Sequence, residues 1–140
     1  MSASEPKRQA ILLVDHGSRR DEANRVLAEV AELLRRIAPE YHVEIAHLEL
    51  AEPTIAQAFE ACVAAGAREI IVHPYMLAPG RHATADIPKL ARAAAKEHPE
   101  IAWRVTAPLG VDAALAEIVL RRVREPSEGE ADGERGAGPA

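Results

Sequence analysis

Four short, almost wholly apolar runs alternate with four stretches whose apolar residues recur at helical spacing, and that alternation leaves few folds open. Ile11-Leu12-Leu13-Val14 is continuous and β-compatible, as a strand covered on both faces must be. After Gly17-Ser18, a helix is predicted from Val26, Leu27, Val30, Leu33, Leu34 and Ile37, with Ser18 and Asp21 spaced as a capping box and Pro39 as the stop. Val43 to Leu50 reads as a second strand, and Pro53 suits the first turn of a helix with the stripe Ile55, Ala58, Phe59, Cys62 and Val63. Gly66 is placed to cap that helix. Ile70-Ile71-Val72 opens a third strand, Pro79-Gly80 turns the chain, and Ile87, Leu90, Ala91 and Ala94 face inward from a third helix. Ile101 to Thr106 is the fourth strand. A last helix starts at Asp112, with Ala114, Leu115, Ile118, Val119 and Val123 as its apolar stripe.

Strand–helix alternation of this kind implies right-handed crossovers and a four-stranded parallel sheet with helices on both faces, an α/β fold. A chain of 140 residues, 48% of them hydrophobic, can build one such domain but hardly two. Residues 9–124 are expected to be that domain, with 1–8 a flexible N-terminus. From Glu125 to Ala140 no large apolar residue occurs, and that acidic segment is expected to be disordered.

The formal charge of −5 argues against a nucleic-acid module. Cys62 is the lone cysteine, which leaves no internal disulfide or cysteine-ligated cluster and fits a reducing compartment. No run approaches the roughly 18 apolar residues of a membrane span, and Met1 to Gln9 lacks the apolar centre of a signal peptide. A cytoplasmic protein with no membrane partner is expected.

Parallel sheets bind ligands at the carboxyl ends of their strands. There the sequence places Asp15-His16-Gly17-Ser18-Arg19-Arg20, His47-Leu48-Glu49-Leu50-Ala51-Glu52-Pro53, and the long exit His73 to His82. His16, Glu49 and His82 close three strand ends with two imidazoles and a carboxylate, a set suited to a divalent first-row metal with open positions. A neutral imidazole there can equally accept a proton. Arg19, Arg20, Arg81 and the helix N-terminus after Ser18 suit carboxylate or phosphate groups.

Each residue also has a plainer role. A histidine at a strand end is more commonly a hydrogen-bonded structural residue, and Arg19 and Arg20 fit a solvated helix start. Glu49 and Glu52 suit helix capping, the latter especially because it precedes Pro53. Tyr75 and Met76 fit pocket lining or core, Cys62 fits the core, and His73 is read as structural. His47 shares strand parity with Glu49 and is placed to support it, whereas His42 and His98 carry less weight.

These stretches, together with Pro79-Gly80-Arg81-His82 leading to Asp86-Ile87-Pro88 and with Thr106-Ala107-Pro108-Leu109-Gly110, resemble the class II sirohydrochlorin chelatases of siroheme and cobalamin synthesis. The resemblance runs from about Ile11 to Arg124. It implies a flavodoxin-like chelatase fold and insertion of a divalent metal into sirohydrochlorin, with no permanently bound cofactor. The family's metal-site histidines fall on His16 and His82, and its motif glutamate on Glu49. Its tetrapyrrole-lining stretch falls on Leu77, Ala78, Pro79, Gly80 and Arg81, with Ser18, Arg19 and Glu52 as further substrate contacts.

The chain is similar to one half of the family's two-lobed enzymes, which implies a homodimer. Asp15 before His16 looks most like the plastid-type ferrochelatases, although the tail lacks their cysteine-rich segment. Fe2+ is favoured as metal substrate, then Co2+, with Ni2+ also compatible with the residues. Two other readings remain open: a metal or tetrapyrrole carrier without turnover, and an anion-binding module, against which the lack of a glycine-rich phosphate loop counts.

Overall fold

β1 (Gln9–Asp15), the most apolar of the four runs, lies inside the sheet and pairs with a strand on each side. The computed structural model describes residues 7–126, in the order β1, α1 (Asp21–Ile37), β2 (His42–His47), α2 (Ile55–Ala64), β3 (Glu69–Pro74), α3 (Arg81–Ala95), β4 (Ala102–Val105) and α4 (Ala113–Val123). The sheet order is β2-β1-β3-β4 and every pairing is parallel, as the alternation required. The chain divides at Gly110 and Val111 into two compact units, 7–110 and 111–126 among the described residues.

Side-chain alternation along β1 divides the core of the first unit. Ala10, Leu12 and Val14 pack with Ala46, Ile70 and Val72 against α2 and α3, through Phe59, Cys62, Ile87 and Ala91. Leu13 and Ile11 turn to the other face, where Leu27 and Ala31 of α1 meet Val43. Cys62 sits in the core as expected, and burial pushes its thiol up to about 12.

Several local expectations are corrected. Ser18 does not cap α1: the helix starts three residues later, its N-cap is Arg20, and no side chain caps it. Pro53 lies before α2 rather than inside it, and Thr54 forms the capping box with Gln57. β2 stops at His47, because His47 N–H donates to the carbonyl of Pro53 and the chain turns back. Gly80 is the N-cap of α3, so Arg81 and His82 open that helix rather than ending a loop. Val26, Leu33 and Ile37 are exposed, since α1 meets the sheet mainly through Leu27 and Ala31, and Leu90 is exposed on α3, whose buried residues are Ala83, Ile87, Ala91 and Ala95. α4 has the expected Asp112 cap, whose carboxylate accepts from Ala114 N–H at 2.8 Å, but its stripe buries no residue. Nearly all of the expected tail, residues 127–140, and residues 1–6 lie outside the described residues.

Candidate active site at the strand ends

Gly17 organises the site. Its φ of +93° is one that side-chain-bearing residues rarely adopt, and a Cβ there would overlap the carbonyl oxygen of Glu49 outright. That close approach brings the exits of β1 and β2 together: Leu48 N–H donates to Asp15 O at 2.8 Å, and Glu49 N–H to His16 O at 3.1 Å. His16 and Glu49 are therefore carried on hydrogen-bonded neighbouring segments.

A cavity of about 480 Å³ opens beside them. Its walls are Asp15, His16, Gly17 and Ser18 from the β1 exit, Ala23 and Asn24 from α1, and Tyr75, Met76, Leu77 and Ala78 from the β3 exit. A larger cavity of about 530 Å³ lies against the sheet face beside α1, is almost wholly apolar, and includes none of the candidate residues. Of the two, only the strand-end cavity is lined by sequence-predicted site residues.

Two features there had little signal in the sequence. The Asn24 side chain accepts from Ser18 N–H at 2.9 Å and donates to Ser18 O at 2.8 Å, so one amide locks the loop that carries His16. Ser18 Oγ in turn accepts from Arg20 N–H at 3.0 Å. Beneath His16, the Asp15 carboxylate lies 2.6 Å from Nδ1 of His47, which is almost fully buried. These two residues pair directly across β1 and β2. The parity argument marked His47 as support for Glu49, whereas its hydrogen bond goes to Asp15. An Asn six residues after a serine carries no recognised pattern, and only the loop conformation brings the two together.

His16, Glu49 and His82 are all exposed. His82 sits in the first turn of α3 and does not line the strand-end cavity. Among the described residues no group of three or more His, Cys, Asp or Glu is arranged to hold a metal ion. Leu77, Ala78 and Ser18 line the cavity of His16, whereas Pro79 lines a separate one of about 240 Å³ with Ala83, Ile87 and Pro108. Arg19, Glu52, Gly80 and Arg81 are exposed outside both, and Glu52 accepts from the Gln57 side chain at 3.2 Å. His73 is hydrogen-bonded to Thr106 at 2.9 Å, as a structural residue would be, and burial holds its pKa below the ordinary value.

A parallel α/β sheet carries His16 at the tip of β1, its backbone hydrogen-bonded to that of Glu49 beyond β2. The CbiX family model matches residues 10–126, and the chain belongs to that family. It is 45% identical over 125 residues to the chloroplastic sirohydrochlorin ferrochelatase of Arabidopsis thaliana, covering 87% of this chain and 56% of that one. It is 43% identical over 82 residues to the sirohydrochlorin cobaltochelatase of Methanococcus maripaludis, with 59% and 57% covered. The crystal structure of the sirohydrochlorin chelatase SirB from Bacillus subtilis subspecies spizizenii in complex with cobalt superposes with a TM-score of 0.77 at 39% identity, covering 84% of this chain and 50% of that one. The chain thus spans about half the length of these relatives.

Proposed function

We propose that the chain is a sirohydrochlorin chelatase, inserting Fe2+ into the macrocycle for siroheme, with Co2+ for cobalamin as the second candidate. The observation that carries this reading is the His16 cavity at the strand ends, clasped to Glu49, in a member of the CbiX family.

Insertion removes two pyrrole protons and strips water from one face of the metal. The macrocycle's own nitrogens become the ligands, so the protein has to deliver the ion rather than retain it. A single exposed imidazole suits that task better than a closed three-ligand shell. His16 takes a pyrrole proton and contacts the incoming metal. Glu49, on the neighbouring segment, orients the metal or accepts the second proton, and His82 presents the metal from the α3 side. Leu77 and Ala78 with Ser18 contact the ring, while Arg19, Arg81 and Glu52 meet its periphery, the arginines pairing with its carboxylates. Residues 9–124 form the chelatase domain. The active species is a homodimer, the reading that the resemblance to one lobe of the family's two-lobed enzymes implies, and it works in the cytoplasm without a membrane partner; no helix among the described residues is long and apolar enough to cross a membrane.

Purified protein mixed anaerobically with sirohydrochlorin and Fe2+, Co2+ or Ni2+ is expected to give multiple turnovers by absorbance, above a protein-free control, and most rapidly with Fe2+. Binding without turnover would instead establish a carrier.

A further inference from the structure

A polar ring taken out of water costs free energy unless it is hydrogen-bonded. His47 is such a ring: at 2% exposure it is the only polar or charged residue buried among the described residues. Its Nδ1 lies 2.6 Å from Oδ1 of Asp15, its register partner across β1 and β2. A carboxylate only accepts, so Nδ1 carries the proton and donates it to the bond. That bond fixes the Asp15 side chain through one of its two oxygens, and Oδ2 has no hydrogen-bond partner among the described residues.

Asp15 is thereby held in the wall of the cavity that His16 also lines, with 23% of its side chain exposed. Other polar side chains of that wall are committed elsewhere. Asn24 uses its amide on both backbone groups of Ser18, and Ser18 Oγ accepts from Arg20 N–H. Asp15 is the one carboxylate among the residues lining this cavity, and no lysine or arginine lines it. Glu49 reaches the β1 exit through its backbone but is not part of the wall. A fixed carboxylate and an imidazole in one open cavity, with no cationic side chain to neutralise them, suit a divalent first-row cation.

We propose that Asp15 is a further catalytic residue, contacting the divalent metal substrate beside His16, and that His47 is the positioning residue that holds it. The proposal rests on the chelatase reading above for its cargo and adds a carboxylate that reading left unused. The charge of Asp15 offsets that of the ion while water is stripped from it. An oxygen donor already held by a buried partner loses little rotamer freedom on contact. His47 touches no cargo and acts only through Asp15.

Equilibrium binding of Co2+ to the full chain, without macrocycle, is read from the visible absorption of the bound ion. Asp15→Asn keeps an acceptor for His47 and removes the charge, so a merely structural Asp15 would leave binding unchanged. The expected result is Co2+ affinity at least about 10-fold weaker and an altered spectrum, with circular dichroism unchanged. His47→Leu removes the donor and is expected to weaken Co2+ by about 10-fold. His47→Asn, whose amide nitrogen can take the place of Nδ1, is expected to restore most of that loss. Equal Co2+ affinity in Asp15→Asn and the native chain, or no binding by the native chain, overturns the proposal. Equal losses in the Leu and Asn variants of His47 overturn its positioning role. Should His47→Leu fail to fold, Asp15→Asn decides the role of Asp15, and His47→Asn, binding as the native chain does or not, decides that of His47. No macrocycle is present in these measurements, so failure here is separable from failure of the chelatase assignment, which turnover with sirohydrochlorin reads.

Discussion

At the scale of single residues, the site depends on three groups with different duties. His16 is the proposed proton acceptor, and His16→Ala is expected to slow metallation by about 10²–10⁴-fold with the fold intact, as read by initial rates and circular dichroism. Asn24 touches neither metal nor macrocycle in this scheme and acts by holding Ser18 at both its N–H and its carbonyl. Asn24→Ala is expected to cost about 1–2 kcal/mol in urea unfolding and to raise KM for sirohydrochlorin more than it lowers kcat. A full-rate, unchanged-KM variant would remove Asn24 from the positioning of the loop. Gly17 tolerates no side chain, because the overlap is with backbone. Gly17→Ala is expected to destabilise by about 1–3 kcal/mol, or to part the β1 and β2 exits and abolish activity.

His73 shows a titration effect of definite sign. Burial disfavours its charged form, so its pKa in the folded chain lies below the ordinary 6.5. The unfolded chain therefore binds the proton more readily, and the stability due to neutral His73 is fully present above pH 6.5 and lost as the pH falls below it. His73→Gln is expected to flatten the acid side of the stability–pH curve, measured by urea midpoints. An unchanged slope would show that His73 is not desolvated.

Among the elements, α2 is the best anchored. Thr54 and Gln57 satisfy each other's backbone donors, and Phe59 is wholly enclosed between the sheet and α3. Phe59→Ala is expected to cost about 3–5 kcal/mol. Thr54→Ala should cost only about 1 kcal/mol, and chemical denaturation of both variants checks the ranking. The β1 and β2 exits behave differently from the strands they extend: their hydrogen bonds continue the pairing beyond Asp15 and His47, which lends loop residues a strand-like precision. That is how a glutamate in an irregular turn comes to lie beside a histidine thirty-three positions earlier in the chain.

For the molecule as a whole, the unit of function in this scheme is two chains. Specific activity is therefore expected to fall on dilution through the dissociation range of the dimer and to recover on concentration. Concentration-independent activity of a monomer would remove the dimer from the mechanism.

The order of strands and helices, their parallel pairing and the strand-end location of His16 and Glu49 were legible in the chain itself. Apolar period and crossover handedness are local or nearly local rules, and together they leave a handful of topologies, among which the packed sheet selects the order β2-β1-β3-β4. Helix starts were less legible: Ser18 and Pro53 both have residue types suited to helix starts, yet loop contacts with Asn24 and His47 claimed their places. The exposure of half of α1's stripe and of all of α4's but the half-buried Leu115 could not be read from spacing either. Periodicity says which side of a helix is apolar, but only the packed sheet decides how much of that side finds a partner in the same chain.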